Sequence, residues 1–311
     1  MSDQIEWPDG KAFAFTIFDD TDLATLGNVS PVYDVLADLG FRTTKSVWPL
    51  SGDLKKAFCP GETCEDPDYR AWLLRLQEQG FEIALHDATY HTSNREETIR
   101  GLDEYKKIFG RDPVAYVQHG DNAQAMYWGR LRLTGVNAIA YTLLTRFKRW
   151  NYWRGHIEGD PLFWGDVCKD RVKYVRNFVF PEINTLRACP FMPYHDTARP
   201  YVNYWFASTE GARLDAFNRV LCPENQDVLE AEGGACIVYT HLASGFADGG
   251  KVDDLWRRQM ERLAKKNGWF VSVATLLDYI QQHRGRHEIT RAERARLERK
   301  WLWHKIRVGT T

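Results

Sequence analysis

The chain has 311 residues, 44% hydrophobic and 27% charged, which suffices for one large α/β core, although length alone also permits two domains. Its 41 basic and 42 acidic residues leave a net charge of −1, so no global field directs it to nucleic acid or to a membrane surface. The polar start Met1 to Glu6 lacks the basic-then-apolar pattern of a signal peptide, no apolar run is long enough to span a bilayer, and six scattered cysteines without a Cys-x-x-Cys pair read as free thiols of a cytoplasmic protein.

In chain order, the apolar run Ala12 to Phe18 predicts a buried strand that ends in Asp19, Asp20 and Asp22. Carboxylates this close repel, and a metal, a raised pKa or solvent relieves them; the alternative is an acidic turn with Asp22 as a helix N-cap. Asp22 to Ser30 reads as a loop, and Ser30-Pro31 as the start of a helix that ends at Gly40. Phe41 to Leu50 predicts a second strand, 51–66 a loop, and Asp66-Pro67 the start of a helix closed by Gly80. Phe81 to Leu85 predicts a third strand ending at His86-Asp87, with His91 in the next loop and a helix from Ser93 or Asn94 to Phe109. Val114 to Gln118 predicts a fourth strand ending at His119-Gly120-Asp121-Asn122. A helix from about Gln124 to Leu133 and a fifth strand over Asn137 to Thr142 are expected next.

The stretch 145–201 is aromatic and basic, and reads as an elaborated insertion with an extra hairpin. Beyond it, Val202 to Ser208 and Ala235 to Tyr239 predict strands, the second ending in Thr240-His241. Helices are expected over Arg213 to Leu221, Pro223 to Glu232, Val252 to Lys266 and Ala274 to Gln282, with a last short strand at Phe270 to Val273. Thr290 to Glu293 forms a capping box that opens a charged helix. The organisation expected is one α/β unit over 1–282 and a charged helical tail over 283–311, laid against the barrel or a dimer mate through Leu297, Trp301 and Ile306, or touching a membrane weakly. Alternating β and α units imply parallel strands whose C-terminal ends share a rim.

That rim collects Asp19, Asp20 and Asp22; His86 and His91; His119, Asp121 and Asn122; and His241. Two imidazoles and a carboxylate make a common divalent-metal set, suited to zinc and also to cobalt, nickel, manganese or iron. A second carboxylate can then act as general base and a further histidine as general acid. His156, His195, His283, His287 and His304 read as core or solvated residues.

Thr16-Ile17-Phe18-Asp19-Asp20, Glu82 to His86 with His91, and Val238-Tyr239-Thr240-His241 resemble three motifs of the polysaccharide deacetylases, the carbohydrate esterases with NodB homology. The resemblance covers Phe13 to Tyr279 and is weakest from Thr145 to Ala231. It implies a distorted, incomplete (β/α) barrel of about seven parallel strands. It also implies Asp19 as general base, Asp20, His86 and His91 as metal ligands, and His241 as general acid. The reaction implied is metal-assisted hydrolysis of an N-acyl or O-acyl group on a sugar, free or nucleotide- or lipid-linked, as in surface-polysaccharide assembly. Three features depart from the family pattern. Thr21 replaces a glycine and is followed by Asp22. His91 stands five positions after His86 rather than four, with Asp87 added between. The motif that carries an arginine is missing near His119, which leaves Arg146 and Arg199 as candidates. A binding or scaffolding barrel without catalysis, and an amidohydrolase of a non-sugar amide, are the alternatives.

Overall fold

A computed structural model describes residues 5–308. The polar start at 1–4 and the end of the tail at 309–311 lie outside the described residues. The strands are β1 (Phe13–Asp19), β2 (Thr44–Val47), β3 (Glu82–Leu85), β4 (Ala115–Tyr116), β5 (Tyr174–Phe180), β6 (Tyr194–His195), β7 (Tyr204–Glu210), β8 (Ala235–Thr240), β9 (Ala247–Asp248), β10 (Lys251–Val252), β11 (Gly268–Phe270) and β12 (His287–Glu288). The helices are α1 (Leu26–Asp38), α2 (Pro67–Glu78), α3 (Arg95–Phe109), α4 (Gly135–Leu144), α5 (Gly165–Arg171), α6 (Thr185–Ala188), α7 (Leu214–Val220), α8 (Pro223–Ala231), α9 (Asp254–Ala264), α10 (Val273–Arg284) and α11 (Arg291–Val308).

Strands β1, β2, β3, β4, β5, β7 and β8 pair in that order, all parallel, and β8 returns to β1. The result is a closed seven-stranded (β/α) barrel, the expected fold class. All seven residues of β1 are buried, as a strand covered on both faces requires. One edge of β1 pairs with β8 from Ala14 to Asp19. Its other edge is shared, with β11 on Phe13 to Phe15 and β2 on Phe18 and Asp19. The C-terminal ends of the barrel strands therefore gather Asp19, Val47, Leu85, Tyr116 and Thr240 and the loops that follow them.

Four local expectations are corrected. Helix α1 starts at Leu26, ahead of Pro31, which lies inside it. Asn28 fixes that start, since its Oδ1 accepts the Thr25 N–H at 2.8 Å and its Nδ2 donates to the Leu23 carbonyl at 3.0 Å. Asn137 to Thr142 is helix α4, not a strand. Its N-terminus is anchored on buried Glu298 of α11, which accepts from the Thr134 N–H at 3.0 Å and the Asn137 amide at 2.9 Å. A tertiary anchor thus overrides the local expectation of a strand. The helix expected over Gln124 to Leu133 shrinks to one 3-10 turn, Gly129–Arg132. The fifth barrel strand, β5, lies instead within the stretch read as an insertion, and the antiparallel hairpin β9–β10 falls outside it.

The capping box at Thr290 forms, with its N–H donating to Glu293 Oε2 at 2.8 Å. Leu297 and Trp301 of α11 are buried on the barrel, and Trp301 lies 5.6 Å from Phe178 and 5.8 Å from Tyr141 between ring centres. Ile306 does not join them and is half exposed. All six cysteines are free thiols.

Candidate active site

The turn after β1 distributes its three carboxylates into three environments. Asp19, the last residue of β1, points into the barrel wall. It pairs with Lys45 of β2 at 3.1 Å, with both side chains fully buried. Its Oδ2 also accepts from the Tyr33 hydroxyl at 3.1 Å and its Oδ1 from the Leu242 N–H at 2.8 Å. Burial alone would depress the Lys45 ammonium, but Asp19 outweighs it and holds Lys45 above its ordinary range. Both Asp19 oxygens are engaged and the side chain is fully buried. It is a strut between β1, β2 and the residue after His241, not a group facing solvent.

Asp20 is carried past the barrel end, its N–H bonded to the Thr240 carbonyl at 2.8 Å. Both its oxygens receive the Arg176 guanidinium, at 2.8 and 2.5 Å, in a buried bidentate pair. Arg176 stands on β5 and is braced by the Tyr239 ring, 4.3 Å from its Cζ. Neither Arg146 nor Arg199 plays this part; Arg199 pairs with Asp196. Arg176 escaped sequence reading because it lies outside the motif order. The available signal was a lone charged residue inside the run Tyr174 to Phe180, in which Asn177 is the other strongly polar position.

Asp22 is the centre of the cluster. Three imidazole Nε2 atoms converge on its carboxylate: His119 at 2.9 Å, His86 at 3.1 Å and His241 at 3.3 Å. Burial would raise this carboxyl, but the imidazoles outweigh it and hold it well below the usual carboxylate range. In turn, burial pulls His241 down, but Asp22 pushes it up to about 9; His119 is raised in the same way. The orientation of two rings is fixed from behind. His86 Nδ1 lies 3.1 Å from the Val117 carbonyl and His241 Nδ1 lies 2.8 Å from the Ala212 carbonyl. A carbonyl can only accept, so Nδ1 carries the proton in both rings. Each Nε2 then presents either a second proton or a lone pair to Asp22.

That arrangement fits a cation. Lone pairs aimed at a carboxylate repel it unless a positive charge lies between, and backbone carbonyls behind the rings are the usual support for metal-binding histidines. His119 Nδ1 is buried without a hydrogen-bond partner among the described residues. Asp20, Asp22 and His241 each bring a ligand atom within 4.8 Å of the others. Asp20 is already balanced by the Arg176 cation, whereas the Asp22 carboxylate has only imidazoles beside it.

The remaining predicted residues support the cluster or stand apart. Asp87 does not orient an imidazole through its ring nitrogen. It accepts from the Tyr116 hydroxyl, the His119 N–H at 3.3 Å and Asn122 Nδ2 at 2.8 Å, so it fixes the loop that carries His119. It does so at φ 58°, a left-handed conformation that Asp tolerates better than most residues. Burial pushes its carboxyl up. The loop after β3, which carries Asp87, needs a close approach by α3, since a Cβ on Gly101 would come within 2.6 Å of the Ala88 Cβ. Asn122 also donates to the Thr89 carbonyl at 3.1 Å. Asp121 faces outward and pairs with Arg149.

His91 is the expected ligand that the structure does not bring in. Its Nδ1 bonds the Thr89 hydroxyl at 2.6 Å and its Nε2 faces Glu97 at 3.7 Å, so the extra residue in the loop turns the ring away from Asp22. His119, from the motif that looked out of place, stands beside Asp22 instead. A cleft of about 360 Å³ adjoins this rim, lined among others by Phe58, Tyr90, His91, Asn122 and Tyr152, and Phe58 lies 6.0 Å from the His119 ring centre.

No family model matches the chain, and no curated protein matches it. Solved structures do. A Mycobacterium smegmatis protein assigned as a polysaccharide deacetylase superimposes with a TM-score of 0.54 at 13% identity, over 93% of this chain and 97% of its own. An allantoinase superimposes with a TM-score of 0.52 at 12% identity, over 89% and 93%. The chain is therefore built on the same barrel as these two proteins, which is the fold that its strand-end motifs led us to expect.

Proposed function

We propose that the protein is a metal-dependent hydrolase that cleaves an acyl group from nitrogen, with an acylated amino sugar as substrate. One observation carries this reading: three imidazoles converge on the buried Asp22 carboxylate, beside the Asp20–Arg176 pair. Asp22, His86 and His119 would hold one divalent ion, zinc by donor type, with cobalt, nickel, manganese or iron acceptable to the same atoms. When bound, the ion supplies a Lewis acid that polarises an acyl oxygen and lowers the pKa of water to about 7.

The protein's own groups then divide the proton transfers. Asp20, fixed by Arg176 and standing at the barrel mouth, takes the proton from the attacking water. This moves the base one residue on from Asp19, which is fully buried in its pair with Lys45. His241, its Nδ1 tied to the Ala212 carbonyl, presents Nε2 to the leaving nitrogen and returns the proton. Phe58 and Tyr152 beside the adjoining cleft offer flat apolar faces of the kind sugar rings pack against. The likeness to an allantoinase favours a second reading, hydrolysis of an amide that is not on a sugar.

Metal analysis of purified variants tests the assignment. His86→Ala, His119→Ala and Asp22→Ala are expected to lose the ion and the activity together. Asp20→Asn and His241→Ala should retain the ion and lose activity. Loss of metal from the second pair, with retention in the first, would move the ligand set to Asp20, Asp22 and His241. Acetate release from N-acetylated sugars against that from open-chain ureides and amides separates the two substrate readings.

A further inference from the structure

Helix α4 carries apolar residues on both sides. Its barrel-facing side packs Ala138 and Tyr141 against the core and is held by Asn137, which donates to Glu298. Its outward side carries Val136, Ile139, Leu143 and Leu144 at helical spacing, with Val136 80% and Leu143 62% exposed. The turn that follows adds Phe147, 60% exposed, and Trp150. A surface helix ordinarily puts its polar side to water, so a contiguous exposed apolar face of this kind marks an interaction site.

Charge is segregated to the same place. Residues 135–154 contain Arg146, Lys148, Arg149 and Arg154 and no aspartate or glutamate, in a chain whose net charge is −1. All four cations are exposed. Arg149 and Arg154 pair with Asp121 and Asp160, whereas Arg146 and Lys148 make no ion pair among the described residues. An apolar helical face bordered by cations and an aromatic ring matches the chemistry of an anionic bilayer surface, where the apolar side enters the acyl boundary and the cations meet headgroup phosphates.

The segment is also fastened to the mouth of the candidate site. Trp153 Nε1 donates to the Gly120 carbonyl at 3.0 Å, the Tyr152 hydroxyl bonds the Asp121 carbonyl, and Gly120 and Asp121 follow directly on His119. We propose that α4 and the loop to Trp153 form a docking face for an anionic phospholipid bilayer, which sets the barrel mouth beside the headgroups. This site differs from the tail helix, whose apolar residues Leu297 and Trp301 are already buried on the barrel.

Flotation of the full-length protein with vesicles tests this. Vesicles of equal parts phosphatidylglycerol and phosphatidylcholine are expected to carry the protein, and pure phosphatidylcholine vesicles to carry far less. Ile139→Asp combined with Leu143→Asp, and separately Arg146→Glu combined with Lys148→Glu, should each reduce the vesicle-bound fraction roughly tenfold or more. Thermal melts should be unchanged, since all four side chains are exposed. Absence of binding by the folded parent overturns the proposal. So does binding that neither variant weakens. A parent dimer that becomes monomeric in the double-aspartate variant, without vesicle binding, would assign the face to a second copy of the chain instead.

Discussion

Asp19→Asn and Asp20→Asn separate the proposed strut from the proposed base. Each substitution strips the charge from a carboxylate whose partner, Lys45 or Arg176, is buried, and each leaves a buried cation without its counter-charge. Breaking a buried pair from one side costs about 3–5 kcal/mol. Both variants should therefore lose similar stability, visible as a lower urea midpoint. Their catalytic consequences differ. In Asp19→Asn the side-chain amide oxygen can still accept the Leu242 N–H, which follows His241 in the chain, so the general acid keeps its position. Turnover per folded molecule should stay within about tenfold of the parent. Asp20→Asn removes the proton acceptor itself, a loss of about 10²- to 10⁴-fold, or roughly 3–5 kcal/mol of transition-state stabilisation. The assay is acetate release from 4-nitrophenyl acetate and N-acetylated sugars, normalised to the folded fraction from near-ultraviolet circular dichroism. Adding Lys45→Met to Asp19→Asn should recover much of the lost stability, because it removes the orphaned ammonium. A normalised loss in Asp19→Asn equal to that of Asp20→Asn, or near-parent activity in Asp20→Asn, would refute the division of roles.

Other expectations concern the candidate metal site and the tail. His91→Ala should retain the metal content of the parent, measured by elemental analysis, because its ring faces Thr89 and Glu97. Removing the metal with a chelator should abolish activity, and added zinc should restore it. The chelated protein should also show a signed pH dependence. His241 is raised from 6.5 to about 9 in the fold, so its contribution is complete below pH 6.5 and is lost as pH rises through about 9. Asp22 is depressed below 3.8, so its contribution is present above that value and is lost only as pH falls further. Urea midpoints of the metal-free protein should accordingly be higher at pH 6 than at pH 9. Trp301→Ala should cost about 3–5 kcal/mol in urea unfolding, since the ring is buried between Tyr141 and Phe178.

The barrel was readable because its strands are short apolar runs, each followed by polar residues, and that pattern depends only on local sequence. The motif ends that led to Asp20, His86 and His241 lie on such runs. What escaped depends on contacts between distant segments. Nothing near Asn137 indicates that Glu298, far along the chain, will hold it in a helix. Nothing near Asp20 says that Arg176 will claim both of its oxygens. Asp20 is held by that pair, and Asp22, outside the resembling motif, is the carboxylate that meets the imidazoles. His91 was misplaced because one added loop residue redirects a side chain, and spacing counts cannot show in which direction.

The divided edge of β1 also affects when the site can exist. Its partners come from opposite ends of the chain: β2 soon after it, β8 and β11 more than two hundred residues later. Contacts so remote in sequence carry a large loop-closure cost and form slowly. During synthesis, the N-terminal half can assemble β1 to β4 and present His86 and His119, yet Asp20 still lacks Arg176 and Asp19 still lacks the Leu242 amide. The carboxylates thus take their final partners only after the ribosome has passed residue 242. A nascent chain released before that point would carry His86 and His119 without His241 and without the final partners of Asp19 and Asp20.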